Sequence, residues 1–288
     1  MQQRTQYWQP RASEWTMATR RATPTYVSKR LHTSSLAREL STRCFSTSRA
    51  VRKHIDASEL QQTYAYDQSS GLNDDALLSD LRAETMRDRP KAEQLIDEMQ
   101  GKFLSFLVQT TKAQRVLEIG CFTGYSALCL ASGLAADGVL TTCDVDAACM
   151  QFAQRFFNKS PRAAQITAVH QDGLEFLHSI TRSACADQQP FDVIFVDANK
   201  RKYRAYYDFI LEHHLLHASG LLVFDNTLFR GRVAVCASGE EGRKERIARS
   251  LADFNSHVLR DPRTAQVVLP LWDGLTLIRL SGKGMAAE

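Results

Sequence analysis

The chain has 288 residues, 44% of them hydrophobic and 24% charged, enough to build a sizeable core in one large domain or two small ones. Its formal charge of +4 is unevenly spread: residues 1–50 carry nine basic side chains against Glu14 and Glu39, a balance of +7 that leaves −3 for the remainder. The basic character therefore belongs to the leader rather than to a nucleic-acid surface, and no stretch reaches the roughly 18 to 20 apolar residues of a membrane span.

Residues 1–52 are rich in Arg, Ser and Thr, poor in acids, and lack the apolar core of a secretory signal. That is the composition of a mitochondrial transit peptide, with a disordered basic tail as the alternative. Leu31–Leu40 can form a short amphipathic basic helix. The run Arg43-Cys44-Phe45-Ser46-Thr47-Ser48 resembles a two-step mitochondrial processing site. On this reading the mature chain begins near Lys53 and acts in the mitochondrial matrix, or in the cytoplasm if the leader is not a targeting signal. Residues 53–288 then form a single domain with its core at 74–280.

After the leader, Asn73–Arg89 reads as a helix capped by Asn73 or Asp74 and punctuated by Pro90. A second helix is expected over Ala92–Gln109, whose exposed face is a candidate subunit contact, with monomer and homodimer both open. Next comes Arg115 to Ser126, RVLEIGCFTGYS. Val116, Leu117 and Ile119 form the short apolar run of a buried parallel strand, and Gly120 and Gly124 let the chain turn tightly into a helix near Tyr125. The helix N-terminus so created is a ready site for a carboxylate or phosphate. Glu118 stands at the strand's carboxyl end, where it can meet the ammonium or hydroxyls of a nucleoside-like ligand.

From Arg115 onward strands are expected near 115–119, 139–143, 165–169, 191–196, 220–224, 264–269 and 274–280. Helices are expected near 125–134, 146–158, 173–181 and 202–217. This alternation predicts an α/β fold, a Rossmann-like, doubly wound, seven-stranded sheet. Its last two strands pair as an antiparallel edge hairpin turning at Asp273-Gly274, and extra helices precede the core. The loop Leu228–Arg246, with three glycines, reads as mobile. Seven cysteines without a C-x-x-C pair read as reduced, buried side chains.

In such sheets ligands lie outside the carboxyl ends of the strands. Asp144 ends the second strand about twenty residues after the glycine turn, where these folds place a ribose-binding carboxylate. Asp172 and Gly173 follow the third strand. Asp197 follows the fourth, with Ala198-Asn199-Lys200 behind it, and Asp225-Asn226 follow the fifth. Two carboxylates and a carboxamide at the ends of adjacent strands make an all-oxygen set suited to a hard cation such as Mg²⁺.

On these residues the chain resembles the cation-dependent O-methyltransferase family that includes catechol and caffeoyl-CoA O-methyltransferases, a class I methyltransferase group. The resemblance spans about Asp74 to Leu280. It implies methyl transfer from S-adenosyl-L-methionine to a hydroxyl of a small catechol or phenolic acceptor. Glu118, Gly120, Phe122, Ser126, Asp144, Asp172, Gly173 and Asp197 would contact the cofactor; for Asp172, a helix N-cap is equally open. Asp197, Asp225 and Asn226 would hold Mg²⁺ or another divalent cation, with Lys200 as general base beside Asp197. Met99–Leu104 looks like the stretch that closes over cofactor and substrate. Two positions depart from the pattern: Val267-Val268-Leu269 stand where animal catechol enzymes carry a glutamate, and Trp272 where a small residue is frequent. Two other classes were weighed. A nicotinamide-dependent oxidoreductase would need a tighter G-x-G-x-x-G than Cys121-Phe122-Thr123 allows. A mitochondrial RNA methyltransferase would need a basic, aromatic-interleaved patch, and the body is slightly acidic.

Overall fold

The computed structural model describes residues 57–69, 76–182, 189–237 and 245–281. The expected leader, its processing site and the Asn73–Asp74 cap lie outside the described residues. Seven strands form one sheet: β1 (Arg115–Ile119), β2 (Val139–Asp144), β3 (Ile166–His170), β4 (Phe191–Val196), β5 (Leu216–Phe224), β6 (Thr264–Leu269) and β7 (Leu275–Leu280). Their spatial order is β3-β2-β1-β4-β5-β7-β6. The first five run parallel, and β7 inserts antiparallel between β5 and β6. The expected hairpin thus forms with β6 as the edge strand.

The helices are α1 (Ala57–Gln68), α2 (Ala76–Asp88), α3 (Glu98–Thr111), α4 (Tyr125–Ser132), α5 (Ala147–Phe157), α6 (Gly173–Arg182), α7 (Tyr203–Glu212), α8 (Arg232–Ala237) and α9 (Arg246–Arg260). Side chains alternate along each strand, so each strand feeds two cores. Val116, Val193, Phe195 and Val223 pack with residues of α2 to α5. Leu117, Ile119, Ile194, Val196 and Phe224 face α7 and α9 on the other side. No described helix is long and apolar enough to cross a membrane. The five described cysteines are free thiols, four of them buried.

Three expectations need correction. The helix predicted over Ala92–Gln109 forms only from Glu98 onward, as α3; its first residues make a single 3₁₀ turn, Ala92–Gln94, followed by an extended Leu95. Asp97 then caps α3, accepting from the Met99 amide at 2.9 Å. The local cap thus overrides the apolar periodicity. The helix predicted to reach residue 217 stops at Glu212, because His214 takes a left-handed conformation (φ 51°) and Leu216 pairs with Phe191 at the start of β5. The third concerns the segment after Leu228, read as a loop: it contains α8 and leads into the fifteen-residue α9, whose Ala248, Leu251, Phe254 and Val258 are buried.

Candidate active site

The order of strands reverses between β1 and β4, β1 leading out to β2 and β3, and β4 leading out to β5 on the other side. A crevice opens at such a switch point, outside the carboxyl ends. Here a cleft of about 900 Å³ lies over that end of the sheet. Of the eleven site residues expected from sequence, Gly120, Phe122, Ser126, Asp144, Asp172, Gly173, Asp197, Lys200, Asp225 and Asn226 all line it. Glu118 does not.

Glu118 faces the α4 side, pairs in register with Thr142 of β2, and is fully buried. The Thr142 hydroxyl donates to its Oε2, and the Ser126 side chain lies close enough to favour the charged form as well. Burial pushes its carboxyl up to about 8, against hydrogen bonds that favour the charged form. It is therefore a group beneath the floor of the cleft rather than part of its wall.

The turn after β1 is built by close backbone approach. The Gly120 amide donates to the Cys143 carbonyl at 2.9 Å, φ is +102°, and a Cβ there would stand 2.1 Å from the Asp197 carbonyl oxygen. Only glycine fits. Phe122 is left-handed at φ 48° and donates its amide to Asp144 Oδ2 at 2.8 Å, while Asp144 Oδ1 accepts from the Asp146 amide at 2.9 Å. The glycine loop and the end of β2 are thereby fixed to each other. Asp172 accepts from the Leu174 amide at 3.0 Å and from Lys202 Nζ at 2.9 Å, so it caps the start of α6 while still lining the cleft.

At the β4–β5 end, Asp197, Asp225 and Asn226 line the cleft together, and the Asp197 charge acts on Asp225. Lys200 Nζ bonds Asp197 Oδ1. It reaches there because Asn199 caps a 3₁₀ turn, Lys200–Lys202, accepting from the Arg201 amide at 3.2 Å. Asp225 is buried, its Oδ1 accepting from the Asn226 amide at 2.7 Å and its backbone carbonyl from the Tyr203 hydroxyl at 2.9 Å. Burial and, after it, the Asp197 charge raise the Asp225 carboxyl above the ordinary carboxylate range. A cation held here would offset both causes. Among the described residues no group of three or more His, Cys, Asp or Glu side chains is arranged to hold a metal ion. The set here is two carboxylates and a carboxamide, the hard-oxygen chemistry of Mg²⁺ with positions left for water or substrate.

Gln100 falls in the stretch expected to close over cofactor and substrate, but its bond to Asp225 was not foreseen. Its Nε2 donates to Asp225 Oδ2 at 2.8 Å, and the side chain is buried. The signal was indirect: Asp97 caps α3, and a cap at that position places Gln100 in the first turn, facing the cleft. Val267, in the run expected to bear on the acceptor, is exposed and does not line the cleft, whereas Trp272 does.

Comparison with known proteins agrees with this architecture. A family model described as O-methyltransferase matches residues 67–281. A caffeoyl-CoA O-methyltransferase of Populus kitakamiensis is 32% identical over 232 residues, covering 79% of this chain and 96% of that protein. The S-adenosylhomocysteine-bound Podospora anserina methyltransferase PaMTH1 superposes with a TM-score of 0.68 at 25% identity, over 82% of this chain and all of that one. The O-methyltransferase TomG of Streptomyces achromogenes, solved in complex with S-adenosylmethionine, gives 0.67 at 25% identity, over 79% of this chain and all of that one. On the family match and the shared sheet, the chain belongs to the O-methyltransferase family.

Proposed function

We propose that this O-methyltransferase uses S-adenosylmethionine and a divalent cation to methylate a hydroxyl of a small catechol or phenolic acceptor. The observation that carries the reading is the convergence of Asp197, Asp225, Asn226 and Lys200 in one cleft with Asp144 and Ser126. The cofactor-bound neighbours support S-adenosylmethionine as methyl donor, and the relative named for caffeoyl-CoA supports a phenolic acceptor.

Each residue then has a task. Asp144 and Ser126 would hold the cofactor's ribose and amino-acid portions, with the turn at Gly120 and Phe122 giving its backbone close access and the Asp172–Gly173 turn beside the base. Asp197, Asp225 and Asn226 would hold the cation, which when bound acts as a Lewis acid and orients two neighbouring acceptor oxygens. Lys200 Nζ takes the proton from the acceptor hydroxyl as attack proceeds. The cleft brings nucleophile and methyl group into line, an orientation effect of roughly 7 to 11 kcal/mol in well-ordered reactions. No covalent enzyme intermediate is required.

Methyl transfer by the purified chain, with labelled cofactor, a panel of catechols and caffeoyl derivatives, and Mg²⁺ or chelator, tests this directly. Turnover that chelator abolishes is expected; turnover indifferent to chelator would contradict the metal role. The leader's composition supports action in the mitochondrial matrix after removal of residues 1–52. Incubation with energised mitochondria should yield a protected, shortened chain, and a chain left full-length and protease-sensitive would count against import.

A further inference from the structure

Trp272 is an unusual way to end a hairpin. It lies in the β6–β7 turn at φ 52°, a left-handed conformation that a bulky side chain seldom adopts, two residues before Gly274 at φ 89°. Its indole is held by α3 and its cap: Nε1 donates to Asp97 Oδ1 at 3.1 Å, and its ring centroid lies 5.9 Å from that of Phe103. Asp97 is itself fixed as the cap of α3.

The turn beneath the indole is equally constrained. The Thr227 amide donates to the Gly274 carbonyl at 2.9 Å, and the Leu228 amide to the Asp273 carbonyl at 3.0 Å. The Arg230 amide donates to Asp273 Oδ1. The Gly274 amide closes the turn on the Leu271 carbonyl at 2.8 Å. These bonds join the hairpin turn to the segment that begins at Asn226. An indole held against α3 and its cap, on a turn whose next two residues are bonded to the post-β5 segment, is a wall, not a flap. It lines the same cleft as Gln100, Lys200, Asp225 and Asn226.

We propose that Trp272 is the specificity-determining residue of the acceptor pocket: its pinned indole gives one planar aromatic ring a face to stack on and turns away acceptors with a bulky extension on that side. This rests on the methyl-transfer reading above. A fixed aromatic wall favours flat apolar ligands by stacking and excludes volume that a small residue would leave open. Replacement by glycine suits the left-handed backbone and opens the mouth.

The sequence supplies a direct probe. The chain has three tryptophans, Trp8, Trp15 and Trp272, so the full chain carrying Trp8→Phe and Trp15→Phe reports on Trp272 alone. In the presence of S-adenosylhomocysteine and Mg²⁺, catechol should quench this emission saturably; emission unchanged at concentrations that saturate turnover would overturn the proposal. In turnover, the wild-type chain should favour catechol over a caffeoyl thioester. Trp272→Gly should shift that kcat/KM ratio toward the thioester by about tenfold or more while leaving the cofactor KM in place. A ratio unmoved by the substitution would overturn it. Trp272→Phe, which keeps an aromatic wall without the indole N–H, should retain the wild-type preference; the glycine variant's ratio in the phenylalanine variant would assign the effect to the Asp97 bond and overturn the wall. Saturable quenching without methyl transfer to any acceptor would leave the wall standing and refute the methyl-transfer reading instead.

Discussion

Glu118 and Asp225 are both carboxylates removed from water, and their surroundings separate their roles. Asp225 opens on the cleft and has a second carboxylate and Lys200 at hand. Glu118 is sealed beneath α4, with the Thr142 hydroxyl on one oxygen and the Ser126 side chain beside the carboxyl. An unfolded chain ionises Glu118 near its ordinary 4.5, whereas the folded chain keeps the proton up to about 8. The folded state therefore binds more protons in that window, and the stability this group contributes, full below about 4.5, is lost as pH rises toward 8. The melting temperature of the ligand-free protein should fall across the window, and Glu118→Gln should make the fall shallower. Equal slopes in the two proteins, by scanning calorimetry, would contradict the assignment. The position of Glu118 was legible in the sequence, but its enclosure was not, because a strand residue shows its neighbours along the chain and not the helix laid over it. Asp197 and Asp225 were legible because each follows an apolar run at once, Asn226 because it adjoins Asp225, and Lys200 only through its spacing from Asp197. The Gln100–Asp225 bond was not: the partners are 125 residues apart, and the contact depends on where α3 begins.

At the scale of elements, all seven strands announced themselves as short apolar runs between turn residues, and the Asp273-Gly274 turn marked the hairpin. Helix ends were harder to read, since Asp97 and His214 act through single backbone conformations that periodicity does not report. The omission of α9 has a similar cause. Only four of its fifteen residues are buried, and the polar, glycine-bearing segment before it masks the start. Yet α9 supports the site. Phe254 packs against Phe224 with ring centroids 4.6 Å apart and edge-on against Tyr203 at 5.7 Å, and Tyr203 holds the Asp225 carbonyl. Phe254→Ala should cost about 3 to 5 kcal/mol in urea unfolding, the usual range for emptying such a position. A loss under about 1 kcal/mol would show that α9 does not carry the core this packing implies.

For the molecule as a whole, the parallel strands bring groups from five separate stretches of sequence to one end of the sheet. The strand reversal between β1 and β4 gives them a single cleft. The fold was legible because alternating strands and helices admit few arrangements. The acceptor end was less so, because it is assembled from a helix start, a post-strand segment and a hairpin turn that meet only in three dimensions. If Asp197 holds a cation that serves methyl transfer, a Mg²⁺ titration of wild type and Asp197→Asn, followed by both thermal shift and methyl transfer to catechol, will separate the two proteins. Wild type should show Mg²⁺-dependent stabilisation and turnover, and the variant should lose the stabilisation, with kcat/KM down by about a hundredfold or more. A variant that keeps wild-type turnover and the same Mg²⁺ response would contradict that role.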